Sequence, residues 1–445
     1  MTRPMIHRLI QIPFRCAAAA VIALLAGLPA HALDIEQVTS PGGIHAWLVE
    51  AHDIPFTALE IRFRGGASLD AADKRGEINL MTATLEEGSA DYDSQGFAAA
   101  QEMLAAKFGF DVDDDTLSIS ARMLTENRDK AVDLLRGALT DPHFDQASVD
   151  RVRGQVLSII AGEAKDPGAI AAQAFRKIAY GTHSYGTSLN GTADSVKALT
   201  REDMFDAKAR VMARDRMVIS AVGDISPAQL GQMLDRLLGG LPATGAPLPP
   251  AVTPALTGGV TVVPFDSPQS VVIFGQNGIA LNDPDFFAAY VLNQILGAGG
   301  FSSRLMEEVR EKRGLTYGIY SYLITRDLAD TWQGSFASAN EKVAEAVKIT
   351  QTEWAKAATG AVTDKELNNA KTYLTGAYPL RFDGNANIAD ILAGMQLNGM
   401  PVDYINTRND QVNAVTQEDV ARVARRLMDP AGLRFVVVGK PVGLD

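Results

Sequence analysis

The sequence predicts an α+β protein of two homologous domains, each a mainly antiparallel sheet covered by helices. Three observations lead to this prediction. The two halves repeat at an offset of 216 residues. Each half runs through strands first, then long helices, then a closing strand, an order typical of α+β domains. Proline and glycine are concentrated in the middle of the chain, where a boundary between domains is expected.

The repeat is clearest near the end of each half. Thr200 and Thr416 each precede a turn rich in carboxylates, which is typical of an N-cap that opens a helix. Each of these helices is followed by an apolar strand that ends in a glycine, Gly223 in the first half and Gly439 in the second. One offset shared by a helix and a strand argues against chance similarity.

Hydrophobic periodicity places further elements in both halves. Alternating apolar residues predict strands over 44–50, 58–64 and 116–123. Amphipathic helices are predicted over 127–139 and 340–354.

The domain boundaries follow from composition. Residues 243–258 combine many prolines and glycines, which continue neither a helix nor a central strand, and are therefore predicted to be a linker. The first domain is then residues 33–242 and the second is residues 259–445.

Residues 1–32 are predicted to be a signal peptide. Arg3, Arg8 and Arg15 form a basic region, residues 16–28 are apolar, and a small-residue cleavage signal ends at Ala32. The alternative is a retained membrane anchor, but the apolar run is short for a bilayer. Cleavage near Ala32 predicts a periplasmic or secreted protein. The mature chain then has no cysteine, which excludes disulfides and cysteine-ligated metals.

Charge and hydropathy exclude two further classes. Removing the three arginines takes the net charge from −12 to about −15, which argues against a nucleic-acid partner. No mature segment reaches 18 apolar residues, so no membrane span is expected in the mature chain.

Residues 74–89 resemble the zinc helix of the pitrilysin (insulinase-like, inverted zincin) metallopeptidases, whose His-x-x-Glu-His motif provides two zinc ligands and the base. Here these positions hold Asn79, Thr82 and Ala83, none of which replaces an imidazole or a carboxylate. The third ligand of that family falls near Ile159, where an apolar side chain would cover a dry helix face. The resemblance therefore implies no metal in this chain. The alternative is an ordinary amphipathic helix that ends at Gly88.

No other metal site is evident. The mature chain has four histidines, and none has an i,i+4 partner on a helix: His45, His52, His143 and His183. His183 opens a His-Ser-Tyr-Gly loop similar to one that is structural in the pitrilysin family.

The strongest positive signal is in the second half, at residues 297–317. Gly297, Gly299 and Gly300 form a glycine-rich loop, and Ser302 or Ser303 caps the helix that follows it. The helix has an apolar stripe and ends at a glycine, and a strand is predicted over 315–323. The apolar stripe consists of Leu305, Met306 and Val309, and the glycine that ends the helix is Gly314.

Arg310 is expected in the last turn of that helix and Tyr317 just inside the strand. A guanidinium and a phenol at such a corner can both donate hydrogen bonds to one carbonyl. In the alternative interpretation, Arg310 pairs with Glu307 or Glu311 and Tyr317 merely packs.

This stretch closely resembles the C-terminal signature of the pitrilysin family, Ser-Arg-Leu-x-x-x-x-Arg-Glu-x-x-Gly-Leu-x-Tyr. The resemblance implies that Arg310 and Tyr317 reach the zinc site of another domain or subunit and stabilise the oxyanion there. It also implies that Gly297, Gly299 and Gly300 belong to a substrate channel.

Taken together, the resemblance implies a zinc-free subunit of a heterodimeric metalloendopeptidase, similar to the subunits of the mitochondrial processing peptidase. Its partner would be a homologous subunit with an intact His-x-x-Glu-His motif and a zinc ion, and its substrates unfolded peptides. Two alternatives remain: a non-catalytic peptide-binding or assembly subunit of the same fold, and a self-sufficient enzyme with an unrecognised site.

Overall fold

A computed structural model describes residues 33–444, so the predicted signal peptide lies outside the described residues. The strands are β1 (Glu36–Thr39), β2 (His45–Glu50), β3 (Phe56–Arg64), β4 (Gly88–Ser89), β5 (Tyr92–Asp93), β6 (Lys107–Val112), β7 (Thr116–Leu124), β8 (Met217–Gly223), β9 (Gly259–Pro264), β10 (Gln269–Asn277), β11 (Ile319–Ile324), β12 (Thr331–Ala339) and β13 (Arg434–Gly439).

The helices of the first half are α1 (Glu77–Thr82), α2 (Ser94–Met103), α3 (Arg128–Thr140), α4 (Gln146–Glu163), α5 (Pro167–Tyr180), α6 (Ala193–Ala198), α7 (Arg201–Val211) and α8 (Pro227–Leu238). Those of the second half are α9 (Phe286–Asn293), α10 (Val343–Ala358), α11 (Asp364–Ala377), α12 (Asn385–Leu397), α13 (Tyr404–Ala414) and α14 (Gln417–Leu427). Among the described residues, no helix combines the length and apolar character needed to cross a membrane.

Two large sheets repeat one topology. The first has the strand order β1-β2-β8-β3-β7-β6, and the second, read from its other edge, has the order β9-β13-β10-β12-β11. In each sheet one pair is parallel, β2 with β8 and β9 with β13, and the other pairs are antiparallel. The predicted fold class, a duplicated α+β fold with mainly antiparallel sheets, is therefore confirmed.

The repeated residues explain why the two halves fold alike. Thr200 and Asp203 form a reciprocal capping box at the start of α7, and Thr416 and Asp419 form the same box at the start of α14. Gly223 ends β8 with a φ of 138°, and an added Cβ would clash with the backbone of β3. Glycine is needed there because other residues rarely adopt this conformation.

Each half covers the other half's sheet with one helix. From the first half, α5 packs on β10 and β13, and Phe175 is buried there with Val436 and Val438. From the second half, α12 packs on β3 and β8, where the Ser220 hydroxyl donates to the Ala389 carbonyl at 2.6 Å. Besides a core inside each half, the chain thus has a third core between them.

The linker region is extended and bound at both sides. Residues 243–258 contain no helix or strand. The Ala246 amide donates to the backbone carbonyl of Arg210 in the first half, and the Val252 amide donates to the backbone carbonyl of Leu328 in the second. Whether residues 33–242 and 259–445 fold as separate domains stays a prediction, and the exchange of helices makes each half depend on the other.

A buried polar network joins the halves beside this third core. Tyr185 is fully buried and donates its hydroxyl to Asp115, while the same oxygen accepts from the Leu328 amide at 3.2 Å. Arg326 lies over the Tyr185 ring at 5.0 Å and pairs with Asp114 at 2.9 Å. The His-Ser-Tyr-Gly loop therefore has the structural role that its resemblance implied.

Two local predictions were wrong. The strand predicted over 315–323 begins only at Ile319, because Thr316 donates to the Ala337 carbonyl and accepts from the Gly318 amide, which makes a turn. The alternative helix ending at Gly88 does not form either. The α-helix ends at Thr82, and Gly88 lies in a two-residue strand with a φ of 121°.

Candidate functional site

The zinc-helix positions lie on α1, which is held from its buried side. Asp70 accepts from the Gly76 amide at 2.7 Å and from the Ile78 amide at 3.0 Å, so it caps the start of the helix. Glu77 is fully buried, accepts from the Ala71 amide at 2.6 Å and pairs with Arg210. These bonds satisfy the amides of Gly76 and Ile78 at the start of the helix and hold it in place without a metal.

Both carboxyl groups are poor candidates for chemistry on a substrate. Burial raises the pKa of Asp70 to about 7, against two backbone hydrogen bonds that lower it. Burial also raises the pKa of Glu77, while the Ala71 amide and Arg210 act in the opposite direction. Because their bonds run to the protein's own backbone and to Arg210, we interpret these residues as structural.

The three positions that carry the motif in the pitrilysin family offer no metal ligands here. Asn79 is half-buried and donates its amide to Asn190 at 2.9 Å. Thr82 is buried and donates its hydroxyl to the Ile78 carbonyl of its own helix at 2.7 Å. Ala83 is exposed and has no polar side-chain atom. This donor set does not suit zinc, which takes nitrogen, sulfur or carboxylate ligands.

The expectation for Ile159 was wrong in one respect. Its side chain does not cover a dry helix face, since it is 51% exposed on α4. One turn further on, Glu163 accepts from the Asn190 side chain at 2.7 Å, and Asn190 in turn accepts from Asn79. Glu163 is thus a carboxylate linked to α1 through Asn190, and its i,i+4 spacing from Ile159 places it on the same face of α4.

No other part of the described chain compensates for this loss. Within residues 33–444, no group of three or more His, Cys, Asp or Glu side chains is arranged to hold a metal ion. His52 contacts Asp224 at 2.7 Å and Glu50 at 3.1 Å on the surface, and His183 stacks edge-on against Tyr185. The histidines therefore serve local contacts.

The signature in the second half folds largely as predicted. Leu305, Met306 and Val309 are buried, and the Ser303 hydroxyl accepts from the Met306 amide at 3.4 Å. The helix ends at Glu311, earlier than predicted, and Gly314 follows it with a φ of 60°. The last part of the helix, Met306–Glu311, is π-helical, as is the segment Gln294–Ala298. Gly297, which was predicted to lie in the loop, is part of that second π-helical segment. Such π-helical turns are frequent at functional sites.

The two arginines of the signature differ in their contacts. Arg304 binds both oxygens of Glu366, at 2.7 and 3.0 Å, and the Ala361 carbonyl at 2.8 Å. This bond holds the pKa of Glu366 at about 2, and it ties the helix to α11. Arg304 is therefore structural.

Among the described residues, the guanidinium of Arg310 donates no hydrogen bond. Its nearest carboxylate is Glu311 at 3.5 Å, and Glu307 pairs instead with Lys312 at 2.9 Å. The Arg310 guanidinium lies 4.4 Å from the centre of the Phe301 ring, which is itself 66% exposed. A cation-π contact orients the group without using its N–H donors in the plane.

Tyr317 does not pack against the protein. Its side chain is 86% exposed and lies in the turn before β11 rather than inside the strand. The alternative in which Tyr317 merely packs is therefore wrong, while the pairing of Arg310 with Glu311 exists but is long. The catalytic role of the two residues stays a prediction.

The glycines differ in why they are needed. Gly297 is buried, and an added Cβ would lie 2.6 Å from the Ser321 backbone nitrogen, so packing against β11 requires glycine. An added Cβ at Gly299 would lie 2.6 Å from the Gln294 carbonyl. Gly300 has a φ of 56° and open space around it. Of the three, Gly300 fits a substrate-facing loop best, and Gly297 is a packing residue.

Sequence reasoning missed an aromatic surface beside these residues. β11 is an edge strand of the second sheet, and its alternate residues Tyr320 and Tyr322 are exposed. Phe301 and Tyr317 are exposed as well, and of the four only Phe301 contacts Arg310. We refer to these four exposed side chains together as the aromatic surface. Exposed apolar surface of this kind marks sites that bind proteins or peptides. In the sequence, the alternation of residue types along 319–324 indicated that Tyr320 and Tyr322 share one face of the strand.

Two family models match the chain. Residues 47–193 match "Insulinase (Peptidase family M16)", and residues 198–374 match "Peptidase M16 inactive domain". Together they span more than half of the chain: the first match lies within the first half, and the second begins near the end of the first half and extends into the second.

Curated relatives match over nearly the whole length. The chain is 25% identical to the "non-peptidase homolog YmxG" of Helicobacter pylori, over 94% of this chain and 96% of that protein. It is 26% identical to an uncharacterized zinc protease of Streptomyces coelicolor, over 88% and 87%. It is 25% identical to a probable beta subunit of the mitochondrial processing peptidase of Schizosaccharomyces pombe, over 71% of each.

Solved structures share the fold. The crystal structure of a peptidase M16 inactive domain from Pseudomonas fluorescens superposes with a TM-score of 0.86 at 29% identity, covering 93% of this chain and 99% of that one. A protease from Helicobacter pylori superposes with a TM-score of 0.83 at 17% identity, covering 92% and 100%, and shows the fold alone.

Proposed function

Because the chain belongs to the peptidase M16 (insulinase) family but has no zinc ligands at the motif positions, we propose that it is the zinc-free subunit of a secreted heterodimeric metalloendopeptidase. Its homologous partner carries an intact His-x-x-Glu-His motif and the zinc ion. This chain contributes Arg310 and Tyr317 in trans, where they bind the peptide and stabilise the oxyanion.

The observation that carries the proposal is the contrast between the two halves. Asn79, Thr82 and Ala83 leave the first half without a metal site, whereas Arg310 and Tyr317 present free donors on the second. Oxyanion stabilisation needs donors that are not already engaged. The name of the Helicobacter relative, a non-peptidase homolog, supports a zinc-free role for chains of this type.

We propose a peptide as the ligand of the aromatic surface. An extended peptide adds to a sheet edge through main-chain hydrogen bonds, and β11 offers such an edge beside Tyr317. Unfolded peptides suit this mode because their backbone is unpaired. The signal-peptide pattern in residues 1–32 supports a periplasmic or secreted location.

The second candidate is a non-catalytic peptide-binding or assembly subunit of the same fold. It is favoured by the aromatic surface of Phe301, Tyr320 and Tyr322, which suits binding whether or not chemistry follows. A self-sufficient enzyme has no observation in its favour, since the described residues form no metal-binding cluster.

A reconstitution with a zinc-bearing homologue tests the proposal. The mature chain alone should not cleave an unfolded peptide, and the partner alone should cleave it slowly. Mixing the two should raise the cleavage rate, and Arg310→Ala should abolish most of the gain while the pair still co-elutes in gel filtration. Arg313→Ala is the matched control, because Arg313 is bound to Glu308 of its own helix.

The outcomes separate the candidates. A gain lost with Arg310→Ala but kept with Arg313→Ala supports the catalytic subunit. A gain that both variants keep leaves the binding or assembly subunit. Cleavage by the chain alone that a chelator stops would contradict both.

A further inference from the structure

A second polar site lies away from α1 and the aromatic surface. A cavity of about 250 Å³, open to solvent on one side, is lined by α9, the turn at residues 378–381, α12 and α13, with Arg62 of β3 at one wall. It therefore sits where α12 of the second half covers the sheet of the first half. Its polar lining is dominated by three arginines and three tyrosines, Arg62, Arg381, Arg408, Tyr290, Tyr378 and Tyr404.

The charge in this cavity runs against that of the whole chain. The protein has a net charge of −12, yet the cavity lining has three guanidinium groups and one carboxylate, Asp390. Asp390 pairs with Arg62. Among the described residues, neither Arg381 nor Arg408 forms an ion pair, so the lining keeps two uncompensated positive charges.

Arg408 is the most telling member because it is only 5% exposed. One of its nitrogens, Nη1, donates to the Leu374 carbonyl at 2.8 Å and to Asn409 at 2.9 Å. Its guanidinium carbon lies 4.6 Å from the centre of the Tyr378 ring and 5.4 Å from that of Tyr290. These rings hold the group in place, but a buried guanidinium without a carboxylate remains costly.

The phenols add neutral donors to the same cavity. Burial raises the pKa of Tyr378 to about 12, although Arg408 and Arg381 lower it. Burial raises the pKa of Tyr404 as well, with the same two arginines opposing. Both hydroxyls thus carry protons at neutral pH and can donate to a ligand.

We propose that this cavity binds an oxyanion, a carboxylate or phosphate group, held by Arg381 and Arg408 with the hydroxyls of Tyr378 and Tyr404. Guanidinium groups match the planar geometry of both anions. The cavity is smaller than the sites of drug-sized ligands, so it takes a small anion or the charged end of a longer molecule. The proposal does not rest on the proposed function.

The occupant would also connect the two halves. Arg62 belongs to the first sheet, whereas Arg381, Arg408 and the phenols belong to the second half. An anion in the cavity would complete the contact that Arg62 and Asp390 already make between them. Binding is therefore expected to raise the temperature at which the halves unfold.

Calorimetric titration of the mature chain tests the proposal at constant ionic strength. The probes are inorganic phosphate, a short peptide with a free C-terminal carboxylate, and the same peptide with an amidated C-terminus. Arg381→Gln and Tyr404→Phe are the test variants, because Arg381 is exposed and Tyr404 is half-buried, so neither substitution changes a fully buried position. Arg425→Gln, an exposed arginine on α14 outside the cavity, is the control.

At least one probe should bind, and Arg381→Gln should weaken it by about 10- to 100-fold, the loss expected for a hydrogen bond to a charged group. Tyr404→Phe should weaken it less, and Arg425→Gln should leave it unchanged. Phosphate as the tighter probe identifies a phosphate ligand, and preference for the free peptide over the amidated one identifies a carboxylate. No binding of any probe, or binding that neither test variant weakens, would overturn the proposal.

Discussion

Replacing Tyr317 by Phe separates chemistry from folding more cleanly than any other change in the chain. The substitution keeps the ring and removes one hydroxyl donor. Because the side chain is 86% exposed and has no partner among the described residues, the free energy of unfolding should change by less than about 0.5 kcal/mol. The loss of an oxyanion donor should nevertheless lower kcat when the chain acts together with a zinc-bearing partner.

The size of that loss can be estimated. One oxyanion donor is worth about 2.7–4 kcal/mol, or about 100- to 1,000-fold in kcat, when it lies in a closed site. Tyr317 is open to solvent in the free chain, so a loss nearer tenfold is the lower bound if the site stays wet. We expect kcat to fall within about tenfold to a thousandfold with a smaller change in KM, as for a contact made in the transition state.

The assay is steady-state cleavage of an unfolded peptide by the reconstituted pair, with thermal unfolding of each variant alongside. Tyr373→Phe is the control, because Tyr373 is an exposed tyrosine on α11 outside the signature. Normal kcat for Tyr317→Phe, with assembly intact, refutes the catalytic role. An equal fall in the control variant would show that the effect is not specific to the site.

Three further predictions follow from the same structure. Purified mature chain should contain no stoichiometric zinc by metal analysis, since Asn79, Thr82 and Ala83 offer no suitable ligands; one tightly held zinc per chain would contradict this. Introducing His, Glu and His at these three positions should not create an efficient peptidase, because Ile159 supplies no third ligand; normal family turnover would show that another residue does. Burial raises the folded-state pKa of Asp115 from 3.8 to about 6, so the stability that its protonated form contributes is lost as pH rises through 6. Urea titrations should therefore show that the wild type loses more stability between pH 4 and pH 7 than the Asp115→Asn variant does.

Elements whose burial is decided locally could be predicted from the sequence. The strands at 44–50 and 116–123 appear as β2 and β7, since alternating residues meet one apolar face. The capping boxes at Thr200 and Thr416 also form as expected, because a cap needs only residues three apart.

The exchange of helices could not be predicted in this way. Helical periodicity shows that α5 and α12 have apolar faces, but not which sheet each face covers. Phe175 meets Val436 more than 250 residues away, and only the closed fold brings them together. The anion cavity could not be predicted for the same reason, since Arg62, Arg381 and Arg408 are far apart in the sequence and only the fold brings them together.

The candidate site was predicted in part. The missing zinc ligands follow from residue identity, which the sequence states directly. The sequence left open whether Arg310 pairs with Glu307 or Glu311, and only the structure shows its contacts. Glu163 was missed because the family's third-ligand position was expected at Ile159, one turn earlier, and only the folded chain shows that Glu163 is linked to α1 through Asn190. The position of Tyr317 was wrong because a threonine side chain, rather than the strand pattern, decides where β11 begins.

The distribution of contacts separates what the fold needs from what remains available to a partner. Helix α1 is held by Asp70 and Glu77, so the fold does not depend on metal ligands at Asn79, Thr82 and Ala83. In the signature, Arg304 supplies the structural contact, whereas Arg310 and Tyr317 are not needed to hold the helix or the strand. Stability therefore does not account for these two donors. Their position near an open sheet edge fits the proposed contact with a peptide, and the absence of zinc ligands at the motif positions fits the proposal that another subunit holds the metal.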